Sequence, residues 1–203
     1  MVMKEIQIKI NDLDELLSKL PISIRNHSRR VAVCSAIIAD YARTFINTYD
    51  IPSGASLPVI AHLGGTCHDI GKLLLSDADN NGSDYLLHPV AGADFLEKHK
   101  KKLLGKDPSS QMIIDIVRYH HEQFDGSGFP KGLKYGEKPF TAEICSIADK
   151  LDHFVFPDNQ AAGDYDEAHK KLKAQADKSF CESAWVCTER AWPYLIEIYD
   201  QWK

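Results

Sequence analysis

Three observations predict an all-α fold. Apolar residues recur at steps of three and four along most of the chain, strand-like alternation is confined to a weak trace in IQIKI at residues 6–10, and no internal repeat or low-complexity run interrupts the pattern. At 203 residues the chain has the length of one domain, enough to bury about 70% of the surface it would expose unfolded. The prediction is therefore a compact helical bundle.

Taken in order, residues 1–21 read as an N-terminal flank whose mixed acids and bases, from Lys4 onward, lack the apolar run of a secretory signal. Ile24, His27, Val31, Cys34, Ile38, Tyr41 and Phe45 then mark one face of an amphipathic helix, with Ser23 as its N-cap. Further helices are predicted over residues 57–66, 89–102 and 110–121. Glycine and proline crowd QFDGSGFPKGLKYGEKP, so residues 122–140 read as a loop, and a loop that long in a compact domain points to function. Helix resumes over residues 141–153, and the tail from Asp164 reads as two more helices. In the last of these, Trp185, Thr188, Trp192, Leu195, Tyr199 and Trp202 form a stripe at heptad-like spacing, read as core packing with a dimer face as the alternative.

Composition narrows the function. Lys and Arg total 24 against 29 Asp and Glu, a net charge of -5 that argues against a nucleic-acid coat or a membrane-surface binder. The longest apolar stretch, residues 31–39, falls far short of the ~20 residues that span a bilayer. Cys34, Cys67, Cys145, Cys181 and Cys187 are scattered without paired spacing, which fits reduced thiols in a cytoplasmic setting serving as small apolar residues.

Nine histidines are many for this length. His27 lies on the apolar face of its helix. His68 and Asp69 follow an apolar helix in GGTCHDIGK, and His88 precedes Pro89 at a helix entry. His120 and His121 close a helix whose inward face includes Val117, and Asp149 sits in the apolar run EICSIADKL. Singly, each has an ordinary explanation as a satisfied core histidine, a helix-end cap, a loop histidine or an exposed helix acid. Jointly, five histidines and two aspartates on five helical segments form the pattern by which a bundle builds a metal site in its core. Mixed imidazole and carboxylate donors suit iron, manganese or zinc better than magnesium or calcium. One carboxylate can bridge two ions ~3.5–4 Å apart, the spacing used in phosphoryl transfer. Lys72, three residues after Asp69, lies on the same side, either to neutralise a phosphate oxygen or as a solvated lysine.

The ordered motifs RNHSRRV, HDIGK, HPVAG, HHEQFDGSGFP and SIADKLD resemble the HD superfamily of metal-dependent phosphohydrolases, and within it the HD-GYP branch. The resemblance covers residues 22–155, with a fainter echo in SFCESAW. It implies an all-helical fold, two or three metal ions, commonly iron or manganese, and hydrolysis of the phosphodiester bonds of cyclic di-GMP. Carried onto this chain, it implies one ion held by His27, His68, Asp69 and Asp149, and a second held by His88, His120 and His121 with Asp69 as the bridge. Lys72 matches the family's lysine that contacts the scissile phosphate. Three positions depart from the family pattern. Ser23 stands where members with a third metal carry glutamate, which implies a binuclear centre. Phe129 makes the GYP motif GFP, keeping the ring without its hydroxyl. No arginine occurs between Glu122 and Glu189, where the family's phosphate-gripping arginine falls, which leaves Lys131, Lys134 and Lys150 as candidate substrate contacts.

The resulting expectation is a single HD-type domain over residues 1–203: flank 1–21, metal-binding core 22–155 and C-terminal helices 156–203. Its implied activity is hydrolysis of a cyclic dinucleotide or related nucleotide by water activated at two divalent ions, iron or manganese, with Asp69 and Lys72 as catalytic groups. Glu122 and Asp125 are expected to orient metal-bound imidazoles. A di-iron oxygenase using the same five histidines and two aspartates is one alternative. A non-catalytic nucleotide-binding or interaction module is another. A cytoplasmic protein is expected, without DNA, RNA or membrane as partner, with a homodimer or a signalling protein engaged through residues 122–140. His62, His99, His153 and His169 fall outside the pattern.

Overall fold

The computed structural model describes residues 12–45, 51–75, 83–157 and 163–202. The strand-like trace at residues 6–10 lies outside them, as do residues 158–162 of the segment FPDNQAAGD. Among the described residues the fold is all-helical, the only strand-like pairing being an isolated bridge between Asp125 and Lys134.

A short helix α1 (Leu13–Leu17), capped by the Asp12 carboxylate on the Glu15 N–H, leads into α2 (Ile22–Tyr41). Ser23 is not the N-cap of α2. The Pro21 carbonyl already accepts from Arg25 N–H (3.0 Å), so the helix begins at Ile22 and Ser23 falls in its first turn. Next come α3 (Leu57–Cys67), a 3-10 turn at Ile70–Leu73 and a second at Ser83–Leu87 that runs directly into α4 (His88–Leu103). Helix α5 (Ser109–Tyr119) ends before the histidine pair, and α6 (Phe140–Val155) follows the irregular segment between them. The tail contains α7 (Tyr165–Lys173), α9 (Glu182–Asp200) and, between them, a single turn α8 (Ala176–Ser179) too short to leave a periodic signature.

Helix α2 is central, packing against α3, α6 and α9, while α5 packs on α3 and α4. Val31, Cys34 and Ile38 of α2 are fully buried with Ile144, Ile147 and Leu151 of α6 in the main core. Each such aliphatic side chain stabilises the fold by about 1.5–3 kcal/mol. A second cluster joins Leu16, Cys67, Ile70, Leu96, Ile114 and Val117. Helices α3 and α5 contribute to both clusters. The tryptophan stripe of α9 packs inward, with Thr188, Leu195 and Tyr199 buried and Trp185, Trp192 and Trp202 partly buried against the main core. Within the chain, these contacts are core packing.

Two glycines let helices approach at the site. Gly65 lies against α2 so closely that a Cβ would stand 2.8 Å from Ala32 Cα. At Gly71 a Cβ would collide with the carbonyl oxygen of His88, so only glycine lets the turn after Asp69 meet the start of α4. None of the described helices is long and apolar enough to cross a membrane. The five cysteines are free, and four of them are buried.

Candidate metal centre

Helix ends deliver most of the polar side chains to one buried point. His27 comes from the second turn of α2. His68 is the C-cap of α3, and Asp69 follows with φ -96 and ψ 8, the sparsely populated bridge region that recurs at active sites. His88 is the first residue of α4, His120 is the C-cap of α5, and His121 comes immediately after it. Asp149 projects from the buried side of α6. His27, His68, Asp69, His88, His120 and Asp149 are all buried.

Three of the imidazoles are held by one device. Nδ1 donates to the carbonyl three residues earlier: His68 to Gly65 (2.7 Å), His88 to Tyr85 (2.7 Å) and His120 to Val117 (2.8 Å). A carbonyl only accepts, so the proton sits on Nδ1 and each Nε2 lone pair faces the site. His27 is oriented differently, by Asp152 Oδ2 at 2.7 Å from its Nδ1. Asp152 is itself gripped by Arg30, through Nε on Oδ1 (2.7 Å) and Nη2 on Oδ2 (2.9 Å).

The inward atoms converge. Nε2 of His27 lies 3.2 Å from Nε2 of His68, and Nε2 of His88 lies 3.3 Å from Nε2 of His120. Asp149 Oδ1 is 3.0 Å from His27 Nε2. Asp69 is shared: Oδ1 lies 3.2 Å from His88 Nε2, while Oδ2 lies 3.5 Å from His68 Nε2 and 3.9 Å from His27 Nε2. Donors about one ion at ~2.0–2.2 Å stand roughly 3.0–3.5 Å from their neighbours, so these separations fit metal coordination. His27, His68 and Asp69 form one cluster of donors, and His88, His120 and His121 form another.

The charge balance makes the same demand. Burial, reinforced by neighbouring imidazoles, drives His120 well below its ordinary value and His121 down to about 3, and burial also lowers His68. The His120 and His121 rings are neutral donors. Burial works against charge on Asp69 and Asp149 too, yet His68 and Lys72 around the first, and His153 and His27 around the second, hold both well below the usual carboxylate range. For His27 burial is outweighed by Asp149 and Asp152, which raise it to about 10. Two buried carboxylates and facing lone pairs need positive charge between them. Without a metal, a proton on His27 supplies part of it, and a cation replaces that proton with better geometry. The donor set therefore fits divalent metal ions.

Lys72 Nζ lies 2.5 Å from Asp69 Oδ2 and 5.3 Å from the centre of the Tyr85 ring. Burial opposes its charge, but Asp69 keeps its pKa above the ordinary value. The Phe129 ring of the GFP segment stacks on His121, with centroids 4.7 Å apart, so the aromatic surface is used without a phenol hydroxyl.

The other predicted residues lie elsewhere. Glu122 orients no imidazole: its carboxylate accepts from the backbone N–H groups of Lys131 (2.6 Å) and Leu133 (2.9 Å), folding the 122–140 segment back on itself. Asp125 accepts from Ser127 N–H (2.9 Å) and Oγ (2.6 Å) in a local turn, because a short carboxylate finds those donors before any ring can reach it. Lys131 donates to the Tyr119 hydroxyl (3.0 Å), Lys134 is exposed, and Lys150 donates to Ser179 Oγ (2.9 Å). Sequence reasoning missed Arg30, Asp152, His153 and Tyr85. Each lies three or four residues from a candidate ligand, His27, Asp149 or His88, and that one-turn spacing was the available signal.

The HD domain family model matches residues 24–153. The chain is 30% identical over 128 residues to a cyclic di-GMP phosphodiesterase of Pseudomonas aeruginosa, covering 60% of this chain and 28% of that protein. It is 34% identical over 97 residues to a cyclic di-GMP phosphodiesterase of Thermotoga maritima, covering 43% and 25%. A 3'3'-cGAMP-specific phosphodiesterase 2 of Vibrio cholerae is 24% identical over 147 residues, with 68% and 27% covered. The chain thus spans about a quarter of the length of these relatives. Among solved structures, a HDG"Y"P protein from Bdellovibrio bacteriovorus superposes with a TM-score of 0.59 at 21% identity, covering 87% of this chain and 52% of the other, a likeness of fold.

Proposed function

Because the chain belongs to the HD domain family, we propose that it is a metal-dependent phosphodiesterase acting on a cyclic dinucleotide through two divalent ions, iron or manganese. The observation that carries this reading is the position of Asp69, whose two oxygens face different histidine groups, Oδ1 towards His88 and Oδ2 towards His68 and His27. In this reading His27, His68, Asp69 and Asp149 hold one ion, and Asp69, His88, His120 and His121 hold the other. When bound, such a pair supplies Lewis-acid neutralisation of a phosphoryl group and a water acidic enough to ionise near neutral pH.

The chain's own residues do the rest. The carbonyl-anchored histidines cannot turn their rings, so the site is organised before substrate arrives. Lys72 keeps its ammonium charged beside Asp69, where it neutralises a phosphoryl oxygen as negative charge builds. Tyr85 and Phe129 place aromatic surface beside His121. The names of the cyclic di-GMP and cGAMP phosphodiesterases to which the chain is similar support this substrate class.

The test is metal quantification followed by an activity screen of iron- and manganese-loaded protein. About two ions per chain are expected, with hydrolysis of cyclic di-GMP or 3'3'-cGAMP exceeding that of a generic phosphodiester. A folded protein that takes up no metal would overturn the reading, and activity restricted to phosphomonoesters would reassign the substrate class.

A further inference from the structure

Asp149 has a second imidazole against it. His153, one turn further along α6, places Nε2 at 3.4 Å from Asp149 Oδ1, the same oxygen that lies 3.0 Å from His27 Nε2. The rings of His27 and His153 have centroids 4.7 Å apart at an interplanar angle of 34°. Offered atoms of His27, Asp149 and His153 all lie within 4.8 Å of one another. The side chain of His153 is 55% exposed against 6% for His27 and for Asp149, so it approaches this oxygen from the solvent side.

From this geometry we infer that His153 is a further metal ligand, closing the solvent side of the ion held by His27 and Asp149. The inference rests on the two-metal reading above. Two donor separations, 3.0 and 3.4 Å, equal those of adjacent ligands on one ion at roughly 2.0–2.2 Å. The i,i+4 spacing of Asp149 and His153 puts a carboxylate and an imidazole on one helix face, as bundle proteins arrange ligands from a single helix. The two ions are consequently unequal. The one on the α2–α6 side carries an extra protein donor, and the one held by His88, His120 and His121 does not.

Mn2+ titration of the full chain followed by chelator competition, with metal content read by mass spectrometry, tests this. Wild type is expected to bind two ions. His153→Ala and His153→Gln should each weaken one of the two by at least about tenfold, leaving the second binding step unchanged. His153→Asp, which restores a donor, should recover part of the lost affinity. Identical two-step titrations for wild type and His153→Ala would overturn the inference while leaving the two-metal reading intact. A wild type that binds no Mn2+ would overturn both. Equal weakening of both steps would also overturn it, by making the effect general and not local to one ion.

Discussion

Asp152 Oδ2 stands 2.7 Å from His27 Nδ1, joining the first helix of the site to the last across 125 residues of sequence. Asp152 is only 1% exposed, and both its oxygens are also bound by Arg30. His27 is thus held by a carboxylate that is itself held, a chain running from the buried face of α2 to α6 and back to α2.

Replacing Asp152 by Ala removes the carboxylate that Arg30 grips and frees the His27 ring. Breaking a buried pair costs about 3–5 kcal/mol, and loss of the orienting acceptor should weaken metal binding about 10- to 100-fold. Urea unfolding with and without Mn2+ separates the two effects. Asp152→Asn, which keeps an acceptor, should show a smaller loss of metal affinity, and equal losses in both variants would contradict the orienting role.

Asp69→Ala should abolish binding of both ions together with activity, because its two oxygens face both histidine groups. Lys72→Met should instead retain metal and lower kcat by about 10²–10³. Metal content and steady-state kinetics on the two variants check this, and metal loss in Lys72→Met would place the lysine in site assembly, not in catalysis.

Gly71→Ala puts a methyl group into the His88 carbonyl. The 3-10 turn and the start of α4 must move apart, at about 1–3 kcal/mol, and Asp69 and His88 move with them. A lower melting temperature accompanied by weaker metal binding is expected. Unchanged binding in a destabilised variant would show that the site tolerates this shift.

Stability should fall in alkali. Burial raises the thiols of Cys34 and Cys67 from 9.0 to about 12, and that of Cys187 to about 11. Groups whose folded pKa lies above the unfolded value contribute stability that is complete below pH 9 and is lost as pH rises towards 11–12. The urea midpoint should therefore be flat from pH 7 to 8.5 and decline above pH 9. Cys34→Ser and Cys67→Ser would separate the individual contributions, and a midpoint unchanged up to pH 10.5 would contradict this account.

The helices were legible because their information is local. Period-3.6 patterning located α2 through α6 to within a few residues, and errors fell where termini depend on particular backbone bonds, as at Pro21 and Ser23. The convergence of His27, His68, Asp69, His88, His120, His121 and Asp149 was legible only through ordered motifs, since periodicity says that a histidine faces inward without saying what it meets. His153 falls outside those ordered motifs, so they carry no signal for it. Nothing local in the sequence announces that Glu122 will bind backbone nine and eleven residues ahead in place of an imidazole.

By itself the sequence determined the helical class, the inward histidines and, through a carbonyl three residues back, the ring orientation of His68, His88 and His120. Each follows from backbone geometry within a turn or two. Only the tertiary structure decided that Asp152 holds His27, that Asp69 is shared between two donor groups and that His153 reaches the oxygen of Asp149 that faces His27. Those relationships depend on angles and distances between packed helices. The packing is set by close approaches such as Gly65 on Ala32 and Gly71 on His88, which join segments with no local pattern in common.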